Sequence, residues 1–337
     1  MPYRKLDVQV VGIRQLTPRV REYLLRGCSG GVCTGLPLPA YEPGAHVELH
    51  FAAPQTGPFL RHYSLLGGVG SWDDSADIYR IAVQREARQR GSHHIHETFA
   101  LGSRLQISPP KNHFLLDRRR THKTLLIAGG IGITPIYAML RSVVKRKAPF
   151  EMVYTGRTLA DMAYAQEVRQ LGGACVRLHV SGGGGGGNHT TRRLDVHALL
   201  AAQPEDAHIY VCGPASLIQA VGDAAAALNI APARVHHESF ACGPGADDTA
   251  FDVALRHSGQ QIRVGRDTSI LEALNAAGIP MLADCRRGEC GLCPVKVLET
   301  DGQLVHRDRY LDDEDRAANH LCICVSRTTG SRLVLDA

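Results

Sequence analysis

Residues 284–297 read DCRRGECGLCPVKV and place Cys285, Cys290 and Cys293 in a C-x4-C-x2-C spacing. With a distant fourth cysteine, this is the plant-type pattern for a [2Fe–2S] cluster. Three thiolates from one loop must wrap a compact centre, so the backbone has to turn sharply. Gly288 and Gly291 are available for positive φ and close approach. Backbone N–H groups of such a loop can donate to the sulfurs and tune the potential. Four thiolates also suit structural zinc, but zinc ribbons usually carry two C-x2-C pairs and only one is present here. The fourth ligand has two candidates in NHLCICVSRTTG (319–330): Cys322 and Cys324, with 28 or 30 residues intervening after Cys293. In a strand, positions i and i+2 face one side, so pattern and spacing leave both open.

Two turns have the chemistry of a dinucleotide site. LLIAGGIGITPIYAML (125–140) ends a strand and opens a helix, with Gly130 and Gly132 followed by Thr134-Pro135 in place of the third glycine of G-x-G-x-x-G. Glycines allow a tight turn and close backbone approach, and the helix N-terminus offers N–H groups to a pyrophosphate. Thr134 is placed to cap the helix and Pro135 to occupy its first position. A second strand end, Cys212-Gly213-Pro214, falls at a carboxyl edge, where open α/β sheets bind ligands. Earlier, RHYSLL sets Arg61 and Tyr63 on one face of a strand with Ser64 beside them. A guanidinium, a ring and a hydroxyl together suit an aromatic, phosphate-bearing cofactor. Gly91-Ser92 opens a helix expected near His93–Phe99, with Ser92 as its cap, and is another phosphate site.

These residues need elements to hold them. The first ~115 residues read as short β-rich segments (LDVQVVG, AHVELHF, RHYSLL, IYRIAVQ, RLQISP) parted by Gly, Pro and Asp, which predicts an antiparallel barrel or sandwich. From Thr121 strand and helix patterns alternate, ending at ARVHHESF, which predicts a parallel doubly wound sheet. One of the helices is expected over LADMAYAQEVRQL. The Gly182–Gly187 run reads as a surface loop. ACGPGADDTA (241–250) reads as a linker, and the remainder as an α+β module with a helix near Ser269–Ala277.

At 337 residues the chain needs two or three cores. No stretch approaches the roughly 20 apolar residues of a membrane span, and MPYRKLDVQVVG has no signal-like apolar core. A cytoplasmic, soluble protein is expected. Five of the ten cysteines lie between Cys285 and Cys324, a distribution that argues for metal binding over disulfides. From Asp247 onward there are 11 Lys and Arg against 15 Asp and Glu, a net −4, so the rest carries +9. No basic stripe is interleaved with aromatics, and the runs at 118–120 and 145–147 are short, so no nucleic-acid partner is expected.

In this order the pieces resemble the phthalate dioxygenase reductase family, which includes vanillate O-demethylase reductases, over essentially the whole chain. The motifs R-x-Y-S-L (Arg61–Leu65), G-G-x-G-I-T-P (Gly129–Pro135), C-G-P (Cys212–Pro214), E-x-F (Glu238–Phe240) and the cysteine loop carry the likeness. It implies a multidomain chain: an antiparallel flavin-binding β-barrel (1–117), a doubly wound α/β NAD-binding domain (118–240), a linker (241–250) and a β-grasp ferredoxin domain (251–337). By position it implies that Arg61, Tyr63 and Ser64 contact FMN and that Gly91-Ser92 hold its phosphate. Gly130, Gly132, Thr134 and Pro135 would hold NADH, with Thr155 and Arg157 near its ribose or phosphates. Cys212, with Gly213 and Pro214, would lie near the nicotinamide, and Phe240 would cover the flavin. The phosphate loop departs from similar proteins, reading EARQRGS where they often have more glycines before the serine. The fourth ligand of such proteins directly precedes V-S-R and a closing LVLD strand. That register implies Cys285, Cys290, Cys293 and Cys324.

The implied activity is that of an NADH-dependent reductase of a Rieske-type aromatic-ring dioxygenase or O-demethylating monooxygenase. NADH gives two electrons as hydride and a [2Fe–2S] cluster takes one at a time, so a flavin must stand between them. No acid–base residue is required; the protein binds and orients. The alternatives are an FAD-dependent reductase of a diiron monooxygenase, whose ferredoxin domain usually comes first, and a non-enzymatic redox sensor.

Overall fold

The computed structural model describes residues 5–29, 33, 37–53, 57–67, 76–86, 91–117, 122–182, 193–240 and 248–337. The arginines at 118–120, the glycines at 183–187 and linker residues 241–247 lie outside the described residues. The chain divides into two units, Met1–Glu238 and Ser239–Ala337.

The first unit begins with strands β1 (Leu6–Thr17), β2 (Val20–Cys28), β3 (His46–Ala53), β4 (Gly57–Ser64) and β5 (Ile78–Gln84), then helix α1 (Gly91–Thr98) and β6 (Arg104–Ile107). All pair antiparallel in the order β4-β3-β6-β1-β2-β5, and a Leu65–Ile81 bridge joins the two ends into a barrel. Val8, Tyr23, Leu25, Val47, Leu49 and Ile107 fill its core, and Ile95 of α1 plugs one end. Strand β2 was not expected from its sequence. Its buried row includes Glu22, at 3% exposure, which breaks the apolar alternation. A second correction concerns sulfur: Cys28 at the end of β2 forms a disulfide with Cys33, their Cα atoms 4.1 Å apart.

The α/β part follows: β7 (Thr124–Gly129), α2 (Ile133–Lys145), β8 (Phe150–Gly156), α3 (Ala165–Gly172), β9 (Val176–Val180), α4 (Val196–Ala201), β10 (His208–Cys212), α5 (Ala215–Ala227) and β11 (Val235–Glu238). The sheet is wholly parallel in the order β11-β10-β7-β8-β9, with its switch point between β7 and β10. The helix expected from Leu159 is shorter. A 3-10 turn covers Leu159–Asp161, and Tyr164 in the left-handed region (φ 60°) precedes α3.

That break positions Tyr164 on the barrel. Its ring stacks on Tyr137 of α2, centroids 4.9 Å apart, and its hydroxyl donates to Glu22 Oε2 at 2.6 Å. Burial, then the Glu22 carboxylate, push the phenol well above its ordinary range, so it stays the proton donor. Arg80 Nη2 lies 3.0 Å from the same oxygen, and Arg14 bridges Glu22 (3.3 Å) to Glu167 of α3 (3.0 Å). Around this network Val20, Leu66 and Ala82 join the core built on α2 and β8.

The second unit contains β12 (Phe251–Leu255), β13 (Gln261–Val264), α6 (Ile270–Ala276), β14 (Pro294–Thr300), β15 (Leu304–Val305), α7 (Asp313–Ala317), β16 (His320–Cys322), β17 (Arg327–Thr328) and β18 (Arg332–Leu335). Its main sheet runs β13-β12-β18-β14-β16, with β12 and β18 parallel, and α6 packs against it. Helix α6 starts at a full capping box, Ser269 with Glu272. Arg327, 2% exposed, donates to the carbonyls of Thr249, Gly265 and Thr268 and lies over the Phe251 ring. Asp248 is ion-paired with Arg327 and Arg307, so the start of this unit is clasped to its own core. Among the described residues no helix is long and apolar enough to cross a membrane.

Breaking a buried ion pair from one side leaves a charge uncompensated. Glu22→Ala is expected to destabilise the first unit by about 3 kcal/mol, read as a lower denaturant midpoint at unchanged slope.

Candidate functional site

Three constellations stand out, two in the first unit and one in the second. On the barrel, β4 carries Arg61 and Tyr63, both half-buried, with Ser64 buried behind them. The first residue of α1 is Gly91. A Cβ there would lie 3.3 Å from Arg61 Nε and 3.1 Å from Phe51 Cζ, so the guanidinium sits against the first turn of the helix. Unpaired helix N–H groups beside a guanidinium make an anion cradle. Ser92 does not cap this helix as expected. The helix begins one residue before it, and its Oγ accepts the Glu86 N–H at 3.2 Å, tying the chain leaving β5 to α1. Burial pushes the Tyr63 phenol up, which keeps its hydroxyl protonated as a donor. Ser64 Oγ is buried with no hydrogen-bond partner among the described residues. A buried hydroxyl is rarely left so, and a polar ligand against β4 would satisfy it. These residues therefore fit a flavin phosphate and ring system.

The second constellation lies at the sheet's switch point, where doubly wound folds bind nucleotides. Two βα turns meet there, Gly129–Gly132 after β7 and Cys212–Pro214 after β10. A Cβ on Gly132 would collide with the Cys212 carbonyl, so only glycine permits this approach. Gly130 has positive φ (54°), faces open space, and accepts a hydrogen bond from Tyr154 Oη at 3.2 Å. Thr134 and Pro135 correct the expected cap. Helix α2 already begins at Ile133 with Gly132 as its cap. Thr134 Oγ1 donates back to Ile131 O at 3.1 Å, and Pro135 is the third helical residue. Thr155 pairs with Gly129 across β7 and β8 and so reaches the same edge; Arg157, two residues on, is exposed. Cys212 is fully buried, Gly213 half-buried and Pro214 exposed. Glu238 opens the E-x-F motif at the end of β11. It is 1% exposed at the position paired with Cys212, a proximity that parallel register alone reveals. Phe240 belongs to the second unit and is 37% exposed.

The third constellation is the cysteine loop between α6 and β14. Cys285 Sγ accepts N–H groups from Arg287 (3.3 Å), Glu289 (3.4 Å) and Cys290 (3.3 Å), and Cys290 Sγ accepts that of Cys285 (3.4 Å). The other two sulfurs, Cys293 and Cys324, are 3.1 Å apart. Gly288 has φ 72°, and a Cβ there would stand 2.7 Å from Asp308 Cα and from Val325 Cγ2. Asp308 braces that wall, accepting from Leu311 N (3.1 Å) and Ser326 Oγ (3.0 Å). Cys285, Cys293 and Cys324 are each no more than 5% exposed. Buried thiolates ringed by N–H donors are a charge set that a cationic centre completes. Four sulfurs in two pairs fit a [2Fe–2S] cluster.

Cys322 and Cys324 are not related by strand alternation, contrary to expectation. Cys322 is the last residue of β16, and Cys324 stands in the turn beyond it. Cys293 and Cys324 nonetheless meet, sulfur to sulfur. The neighbouring Cys322 and Cys324 thiols hold Cys293 below the ordinary thiol range. The same proximity, with burial, pushes Cys322 and Cys324 well above the ordinary thiol range.

Comparison with known proteins follows this division. Residues 126–223 match the family model for an oxidoreductase NAD-binding domain, and residues 253–329 that for a 2Fe-2S iron-sulfur cluster binding domain. The heme-dependent oxidative N-demethylase beta subunit of Ectopseudomonas mendocina is 39% identical over 335 residues, covering 98% of each chain. A vanillate O-demethylase oxidoreductase of Pseudomonas sp. is 37% identical over 304 residues, 89% of this chain and 91% of that one. Among solved structures, a phthalate dioxygenase reductase described as a modular structure for electron transfer from pyridine nucleotides to [2Fe-2S] aligns with TM-score 0.79 and 28% identity. It covers 99% of this chain and 98% of its own.

The contact at Gly132 supplies a test. Gly132→Ala forces the two turns apart, at a cost of ~1–3 kcal/mol typical of overpacking. Affinity for a nicotinamide dinucleotide, read by titration, is expected to fall by about tenfold.

Proposed function

The chain belongs to the phthalate dioxygenase reductase family, and from that premise we propose that it is the NADH-dependent reductase component of a multicomponent oxygenase. The resident groups are FMN and a [2Fe–2S] cluster. When bound, FMN takes both electrons of NADH and the cluster takes them singly, so the chain converts a two-electron donor into a one-electron supply. One observation carries this reading: a single chain combines an anion cradle on a barrel, a switch-point cleft and a thiol loop lined with N–H donors. Each alone suits one bound group; the three together are the parts that electron transfer from NADH to a cluster requires.

The residues act by holding and orienting. Arg61 with Gly91 and Ser92 hold the flavin phosphate, while Tyr63 and Ser64 hydrogen-bond its polar edge. Gly130, Gly132, Thr134 and Pro135 shape the dinucleotide turn, with Thr155 and Arg157 toward its ribose and phosphates. Cys212, Gly213 and Pro214 bound the nicotinamide side, and Phe240 covers the flavin. Cys285, Cys290, Cys293 and Cys324 ligate iron. The corresponding domains are residues 1–117, 118–240 and 251–337, joined by 241–250. The partner is a terminal oxygenase, and we assign it a Rieske-type centre. A haem-containing partner is the second reading, favoured by the 39% identity to a protein named as part of a heme-dependent N-demethylase. We place the protein in the cytoplasm, where NADH is supplied.

Purified protein is expected to reduce cytochrome c rapidly with NADH and to release FMN, identified by chromatography; a colourless zinc protein would defeat the reading. Cys324→Ala should abolish the EPR signal of the reduced cluster and cytochrome c reduction, yet leave NADH-driven ferricyanide reduction. The second unit carries a net −4, which steers encounter with a basic partner. Oxygenase reduction should accordingly slow as salt rises, and stopped-flow rates at two ionic strengths measure it.

A further inference from the structure

Three of the four cysteines come from one loop and the fourth from a separate stretch, so something must hold the two stretches in register. Ser326 stands two residues beyond Cys324 and is 0% exposed. Its Oγ donates to Asp308 Oδ1 at 3.0 Å and accepts the Arg307 N–H at 3.1 Å. The other carboxylate oxygen, Oδ2, accepts the Leu311 N–H at 3.1 Å. Next along the chain, the Arg309 N–H donates to the Gly288 carbonyl at 2.9 Å. Residues 307–309 are therefore bonded on one side to the stretch carrying Cys324 and on the other to the loop carrying Cys285, Cys290 and Cys293. The same segment backs both glycines of that loop. A Cβ on Gly288 would stand 2.7 Å from Asp308 Cα, and one on Gly291 would enter the Tyr310 ring.

We propose that Asp308 is a positioning residue of the iron–sulfur site. By holding Ser326 on one oxygen and Leu311 on the other, it fixes the Cys324 stretch against the cysteine loop and so delivers the fourth ligand to the other three. The Asp308 side chain is 0% exposed, with His306 Nδ1 at 3.6 Å and Arg316 Nη2 at 3.7 Å. Burying a carboxylate is costly, and an apolar residue of similar size would pack there without that cost. The carboxylate offers what an apolar residue lacks, two acceptors that join separate stretches of chain. Asp308 touches no ligand sulfur in this account; it acts through Ser326 and through the main chain at Gly288.

The inference rests on Cys285, Cys290, Cys293 and Cys324 being the ligands. If that assignment fails, the wild-type protein itself lacks iron and the reduced-cluster EPR signal. If only the inference fails, wild type keeps both and the variants match it. The experiment follows iron release from the full-length holoprotein to a chelator without denaturant, with EPR and far-UV circular dichroism of each protein. Wild type is compared with Asp308→Ala, Asp308→Asn, Ser326→Ala and the Asp308→Ala/Ser326→Ala double variant. Partners behind metal ligands typically matter by 10–100-fold, so Asp308→Ala is expected to keep its far-UV spectrum and release iron about tenfold faster. Its EPR line should broaden as the ligand geometry becomes heterogeneous. Asparagine, which keeps the shape and the hydrogen bonding without the charge, recovers most of the difference. The double variant releases iron no faster than Asp308→Ala, because the two side chains act as one unit. Wild-type release from Asp308→Ala overturns the proposal, as does asparagine behaving like alanine or additive effects in the double variant. Should Asp308→Ala not fold, Ser326→Ala decides alone: faster release supports the proposal and wild-type release overturns it.

Discussion

Close approach of one stretch of backbone to another is the constraint on which the candidate sites depend. At the switch point a carbonyl of one βα turn occupies the space where Gly132 would carry a side chain. In the cysteine loop the same is true of Gly288 against the wall at Asp308, and at the barrel Gly91 leaves room for Arg61. The cysteine loop thus sets main-chain N–H dipoles beside its sulfurs, while the barrel site adds the side chains of Arg61, Tyr63 and Ser64. Such dipoles are fixed by the fold and need no reorganisation when charge arrives. That suits a protein whose chemistry resides in bound groups and whose own task is to hold them still.

Rigidity between the barrel and the parallel sheet has a different origin. Glu22 is a buried carboxylate surrounded by Arg14, Arg80 and the Tyr164 hydroxyl, three donors from separate parts of the chain. Its isolated burial would be costly, and the network offsets that cost only when both layers are docked. The interaction therefore specifies one relative placement of two folds that bind different partners of one reaction.

Much of this was legible in sequence, for physical reasons. Cysteine spacing, the glycine turn and alternating strand and helix patterns are local, and the parallel sheet and cluster loop follow them closely. What escaped was nonlocal. Strand β2 was hidden because Glu22 stands where an apolar residue belongs, and its reason for being there lies 142 residues away at Tyr164. The helix expected from Leu159 is cut short because Tyr164 turns into the left-handed region to reach Tyr137. Thr134 and Ser92 were given caps by their types, but the helices begin one residue earlier, at Ile133 and Gly91. Choosing between Cys322 and Cys324 by strand alternation failed because the strand ends at the first of them.

The clasp at Arg327 bears on how the chain enters the second unit. Asp248, Thr249, Gly265 and Thr268 all converge on one guanidinium, so residues 248 and 249 are tied to the interior of the second unit itself. The clasp thus couples the entry of the chain into this unit to the same buried guanidinium that lies over Phe251, so a change at either end is felt at the other.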